Sequence, residues 1–394
     1  MHADPFVAAE AALVHIDTTP KSLLHRIALD GAGADPGPRS IVRTYIVAAV
    51  LTYGLMCLAA ALDWAFAAGT GVLKLPFWRD VNTAFMFLVA FPTIVVLVVT
   101  DDAALRTALR RVQRDGVLTM TSSQESAIEE RWSAIFARLN VITLCAGTLL
   151  GAVVMLANYL VYRQAAVGFW IAPGGRLRPG GYLYLLSVCA FFAVVTIYIV
   201  RTFAISFLLA NVVRFGDIRM LPFHPDKCGG LRPVGRLALR NQYGLSVMGI
   251  NVVLFAVTSM LYLTAPPALY LLVGLAVVAY FFVGPILFVG PLLPFRTGML
   301  RTKSELMSEV AHRLSIELAR IRGELKSGSI TRDDEELIDR LRKIGSVVDE
   351  LPVWPFDASI LRRFLTAYVV PIAGAVLYSV GSRIVEIAVR RLHP

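Results

Sequence analysis

Between residues 221 and 231 the chain reads Leu-Pro-Phe-His-Pro-Asp-Lys-Cys-Gly-Gly-Leu. His224, Asp226 and Cys228 are each able to ligate a metal, and they stand at alternate positions. The spacing is poor for that purpose, because no second His or Cys cluster completes a ligand set. The basic residues Arg214, Arg219, Lys227, Arg232, Arg236 and Arg240 lie in or around the same loop. Guanidinium groups beside glycine amides suit a phosphate or an acidic lipid head group. A plainer alternative is a rigid turn whose charge only reports which side of a membrane it faces. No G-x-x-x-x-G-K-[ST] occurs, so the loop is not a nucleotide cradle, and no cofactor is expected.

A second constellation is made of backbone rather than side chains. Phe282-Val283-Gly284-Pro285 and Phe288-Val289-Gly290-Pro291 repeat a motif six residues apart, and Pro294 follows. Proline removes an amide donor and opens a carbonyl four residues earlier. In lipid that carbonyl needs a neighbouring helix or a wet cavity. Gly284, Pro285, Gly290 and Pro291, with the polar Asn251 and Asn158, are therefore the candidates to line a pathway. The same residues also read as packing kinks and interhelical hydrogen bonds.

The elements that carry these groups are membrane spans. From Asn241 to Phe295 there is no Asp, Glu, Lys or Arg. As helix that run would be roughly 80 Å long against a hydrocarbon core of about 30 Å, so it crosses twice and turns at Ala265-Pro266-Pro267-Ala268. Further charge-free windows cover 44–62, 81–100, 139–162, 179–200 and 364–382. Seven candidate spans result, and the fold class expected is an all-α polytopic bundle. With 57% hydrophobic and 17% charged residues in 394, the composition excludes an ordinary water-soluble domain.

The net charge of +10 follows from orientation rather than from nucleic acid, which is not an expected partner. With the amino terminus inside, segments 1–43, 101–140, 214–245 and 296–363 carry 29 of the 38 Lys and Arg. That is the positive-inside bias. Arg383, Arg390 and Arg391 break it if the last window crosses, and keep it if that window is re-entrant. Arg greatly outnumbers Lys, a bias of GC-rich genomes, which suggests a bacterial inner membrane. No secretory signal is visible before Thr44, and Cys57, Cys145 and Cys189 fall inside spans as small apolar groups.

The expected organisation has a cytoplasmic segment at 1–43, with a surface helix over 5–16 and a Gly/Pro linker over 31–38. A six-span core follows at 44–295, then a helical hairpin at 296–357 and a last span or re-entrant helix at 358–394. Apolar positions Met307, Val310, Leu314, Leu318, Ile321 and Leu325, then Leu337, Leu341, Ile344, Val348 and Leu351, recur at helical spacing. They give each hairpin helix one stripe, met by the other helix or by a second subunit. Lys326–Ser329 makes the turn, and Thr331 with Asp334 imitates a capping box.

Ionisable groups inside the spans are few. Asp63 and Arg201 are placed at opposite interfaces, where Arg201 snorkels, and residues 101–114, alternating Leu with Arg, continue the second span into the cytoplasm. The tryptophans are assigned to interfacial belts, and Asp357 to a helix cap before Arg362 and Arg363.

The His224–Leu231 loop taken with Val353-Trp354-Pro355-Phe356-Asp357 resembles uncharacterised bacterial multi-pass membrane proteins that carry an H-P-D-K-x-G-G-L loop and a W-P-F-D segment. The resemblance covers under a tenth of the chain and implies no activity. The functional expectation is a pore or transport protein for ions or small solutes, homo-oligomeric, in contact with the bilayer and its anionic lipids. The alternative is a membrane-anchored signalling or scaffold protein working through its cytoplasmic helices. An enzyme would need an acid, base or metal cluster that only His224, Asp226 and Cys228 begin to supply.

Overall fold

The computed structural model describes residues 37–62, 75–164, 169–172, 176–219, 221, 224–262, 267–325, 332–371 and 373–374. The surface helix at 5–16, Asp63, Trp64, the Ala265-Pro266 turn, the hairpin turn and the end of the last apolar window lie outside them. Among the described residues, six helices are long and apolar enough to cross a membrane. The chain is an all-α polytopic bundle, and its strands amount to two residues each.

Helix α1 spans Pro38–Leu62 and α2 spans Val81–Arg114. Both contain one π-turn, at Val50–Gly54 and Met86–Ala90. In α2 the cause is Pro92. The Phe91 amide reaches back five residues to the Met86 carbonyl, and Pro92 has no amide to give. The carbonyls of Phe87 and Leu88 are thereby released. Thr52 of α1 donates to Phe87 at 3.3 Å and Tyr45 to Leu88 at 2.7 Å. In lipid, where water offers no substitute, that exchange is what permits the proline.

Helix α3 spans Ser122–Gln164 and α4 spans Pro179–Phe215. At 43 residues α3 is about 65 Å long, more than twice the hydrocarbon thickness, so the charged segment 125–138 continues a span out of the membrane as expected. The two helices pack through Gly147 and Gly151, four residues apart. A Cβ on Gly151 would stand 2.3 Å from the Cys189 carbonyl oxygen, so only glycine permits this approach. Strand β1 (Leu118–Thr119) leaves α2 and pairs antiparallel with β2 (Asp217–Ile218), which leaves α4.

Helix α5 spans Arg232–Tyr262 and α6 spans Pro267–Val289. After a 3-10 turn at Gly290–Leu292, α7 (Leu293–Leu325) carries the sixth span straight into the hairpin. Helix α8 (Arg332–Asp349) returns along it. Lys303 pairs with Asp349 at 3.3 Å, and Gly345 faces Val310, so the hairpin is antiparallel. The chain then forms helix over 358–371, here α9.

Buried side chains divide between two ends. The aromatic end gathers Phe77, Phe87, Trp170 and Tyr184, with Trp170 buried to 1% exposure. The basic end gathers Val112, Trp132, Leu208, Leu237, Phe295 and Leu351.

Candidate functional site

Arg201 sits in the middle of α4 and does not snorkel. Only 6% of it is exposed, and its Nη2 donates to Asp102 at 2.9 Å and its Nη1 to Asn140 at 3.2 Å. Its Nε lies 3.9 Å from Asp101 Oδ2. Asp101 and Asp102 are themselves buried, at 1% and 5% exposure, rather than solvated. Arg240 completes the set from α5. It donates to Asp101, to the Thr100 hydroxyl and, at 2.8 Å, to the Leu97 carbonyl. Two carboxylates thus meet two guanidiniums across α2, α4 and α5, and the cluster is charge-balanced.

Balance is not the same as satisfaction. Asp101 Oδ2, Arg201 Nε and Asn140 Nδ2 have no hydrogen-bond partner among the described residues. The same holds along α5 for Asn241 Oδ1, both amide atoms of Gln242, Asn251 Oδ1 and Ser259 Oγ. Asn241 and Ser259 stand on one face of α5, eighteen residues and five turns apart, and Gln242 and Asn251 flank it on opposite sides. A buried polar atom without a partner costs about 1–3 kcal/mol, and Gln242 is wholly buried with two of them.

A cavity of about 420 Å³ opens beside the cluster at the basic end. Ile41 of α1, Thr100, Ala104, Thr107 and Arg111 of α2, and Pro233, Arg236 and Arg240 of α5 line it.

The 221–231 loop lies next to this region and is closed by its own chemistry. Asp226 accepts the amides of Cys228 at 2.9 Å, Gly230 at 3.0 Å and Arg232 at 3.1 Å. The positive φ values of Lys227, Gly229 and Gly230 aim those amides inward, so the internal carboxylate fills the nest that an external anion would use. Burial alone would raise the Asp226 carboxyl. The amides of Gly230, Cys228 and Arg232, with His224, outweigh it and hold the group below the ordinary carboxylate range. His224 stands between two carboxylates, 2.8 Å from Asp226 and 3.6 Å from Asp115. Burial pushes the Cys228 thiol up to about 12. Among the described residues no group of three or more His, Cys, Asp or Glu is placed to hold a metal.

The W-P-F-D segment packs on this loop. Arg232 pairs with Asp357 at 2.9 Å, and Asp357 caps α9 by accepting the Ile360 amide at 2.9 Å. A Cβ on Gly235 would meet the Pro355 carbonyl at 2.4 Å, and Arg296 stacks over Trp354 at 4.5 Å.

Of the basic residues singled out in the sequence, Arg236 and Arg240 line the cavity, Arg232 holds Asp357, and Arg214, Arg219 and Lys227 are exposed. The glycines and prolines of the sixth span sit elsewhere. Gly284 is buried between the Tyr368 ring and Leu245, and Tyr368 donates at 2.8 Å to Phe281, the carbonyl that Pro285 releases. Pro291 is buried, while Pro285 and Gly290 are half-buried. Asn158 donates to Val154 of its own helix at 2.8 Å.

The buried network escaped the sequence reading, although one signal was there. A lone arginine in a long apolar helix requires a partner. These features define an integral membrane protein of the all-α polytopic class. No family model, curated protein or solved structure matches the chain.

Proposed function

We propose that the chain is a transport or pore protein for small hydrophilic solutes or ions, with its path between α2, α4 and α5. The observation that carries the proposal is the set of buried, partnerless polar atoms on α5 at Asn241, Asn251 and Ser259, leading away from the Asp101–Asp102–Arg201–Arg240 cluster. Lipid cannot satisfy such atoms, and water or a passing solute can. The cluster acts as the polar gate at the inner mouth. This reading moves the path from the Gly-Pro repeats of α6, which pack on α9, and keeps Asn251 in it. The charge bias supports a cytoplasmic basic end, and the reading takes the membrane as a bacterial inner membrane and the protein as a homo-oligomer.

Flux through liposomes holding the purified chain tests this. Asn251→Leu and Ser259→Ala remove orphan atoms, so each variant unfolds no more easily than wild type, while its flux falls by about tenfold or more. Undiminished flux in both variants, or no flux of any ion or small solute from wild type, overturns the path. A second reading, scaffolding through the hairpin, draws on the exposed Ile316, Leu318, Ile344 and Val347 of α7 and α8. Wild type without flux, whose hairpin faces become protected on binding a partner, would favour it.

A further inference from the structure

The cavity beside the cluster differs from the rest of the basic end in its charge. Asp101 and Asp102 are both engaged by Arg201 and Arg240, so those four residues sum to zero. Two further arginines line the same space from neighbouring helices, Arg111 on α2 and Arg236 on α5. Neither has an ion-pair partner among the described residues, and both are exposed. The hydroxyl-bearing Thr100 and Thr107 stand on the same wall, and the remainder is Ile41, Ala103, Ala104, Ala108, Pro233 and Leu237.

Such a lining discriminates among ligands. A carboxylate or halide would be served by one guanidinium. Two arginines at one cavity suit a tetrahedral anion with several acceptor oxygens. Alkyl side chains beside them would cover an apolar substituent, and about 420 Å³ has room for a phosphate with part of what it is attached to. The competing nest of the 221–231 loop is already filled by Asp226, so it draws no anion away.

We infer that this cavity is a phosphate-binding site served by Arg111 and Arg236. Free phosphate and the head group of an anionic lipid share this chemistry. The site stands on its own geometry and does not require the transport proposal.

The test uses the full-length protein in detergent, titrated with inorganic phosphate, and separately the protein in nanodiscs with or without phosphatidic acid. In both formats the readout is the thermal unfolding midpoint. For at least one probe, wild type is stabilised in a saturable way, and Arg111→Gln/Arg236→Gln raises the half-saturating concentration by about tenfold or more. The control Arg362→Gln/Arg363→Gln removes two exposed charges from α9 and leaves the response unchanged. Stabilisation by inorganic phosphate without lipid identifies a soluble ligand, and a response confined to phosphatidic acid identifies a lipid. Equal losses in the two double variants would reduce the effect to surface charge and overturn the site, as would no response of wild type to either probe. Flux takes no part in the readout, so its absence would sink the path and leave this site standing.

Discussion

Each end of the bundle buries aspartate, and the two do it differently. At the aromatic end Asp80 is 3% exposed and receives three donors, the Thr83 amide at 3.1 Å, the Thr83 hydroxyl at 2.7 Å and the Trp170 indole at 2.9 Å. Those donors are neutral, two are local, and Phe77 and Tyr184 pack on the Trp170 ring at 4.8 and 5.8 Å. At the basic end Asp101 faces two guanidiniums from other helices, and its Oδ2 still has no hydrogen bond. The first arrangement is a finished cap. The second stores charge that is balanced but incompletely bonded, beside a cavity, as expected of a region that exchanges partners.

The largest effect that could break this contrast comes from removing the central cation. Arg201→Leu leaves two carboxylates with Arg240 alone, and the expected loss is about 3–5 kcal/mol. Asp80→Asn keeps the shape of the aromatic cap and one acceptor oxygen, so its loss is about 1–3 kcal/mol. Denaturant unfolding in detergent measures both. Equal losses at the two ends would mean that the basic cluster is ordinary structure.

How much of this was legible in the sequence follows from distance along the chain. Charge-free windows marked all six spans because lipid exposure constrains every residue in them. The cap at Asp357 was legible because its acceptor lies three residues from the donor. The ion cluster was not, since Arg201 and Arg240 meet aspartates 99 and 139 positions away. Read locally, Asp101 and Asp102 begin a charged stretch, and only the packing of α4 and α5 on α2 takes them out of water. The Gly147/Gly151 spacing was a visible sign of the close α3–α4 contact. The role of the Gly-Pro repeat depended on Tyr368, 87 residues from the carbonyl it serves.

The intermediate effect concerns acid. The folded Asp226 carboxyl titrates below its unfolded value of about 3.9, so its contribution is complete above that pH and is lost as pH falls through the folded value. Asp226→Asn should cost about 2 kcal/mol at pH 7, with the difference from wild type beginning to shrink once pH falls below about 3.9. Unfolding at several pH values reads it, and a difference that never shrinks as pH falls below about 3.9 would show that the carboxylate charge is not what closes the loop. Sharpening the contrast further, Asp80→Asn provides the reference from the other end under the same conditions.

The smallest effect tests a device that recurs in two parts of the bundle. Pro92 and Pro285 each release a carbonyl four residues earlier, and a tyrosine from another helix takes it, Tyr45 for Leu88 and Tyr368 for Phe281. A hydrogen bond of this kind between spans is worth about 0.6 kcal/mol, so Tyr368→Phe should cost that much. In a Pro285→Ala background the amide returns to the helix and competes for the Phe281 carbonyl, so the same substitution should cost close to nothing. A cost equal in both backgrounds would show that Tyr368 stabilises through its rings, which stack on Tyr280 and Phe364, and not through the proline's carbonyl. Pro285 would then have no dedicated partner for the carbonyl it releases, and the opened backbone of α6 would return as a candidate lining for the path.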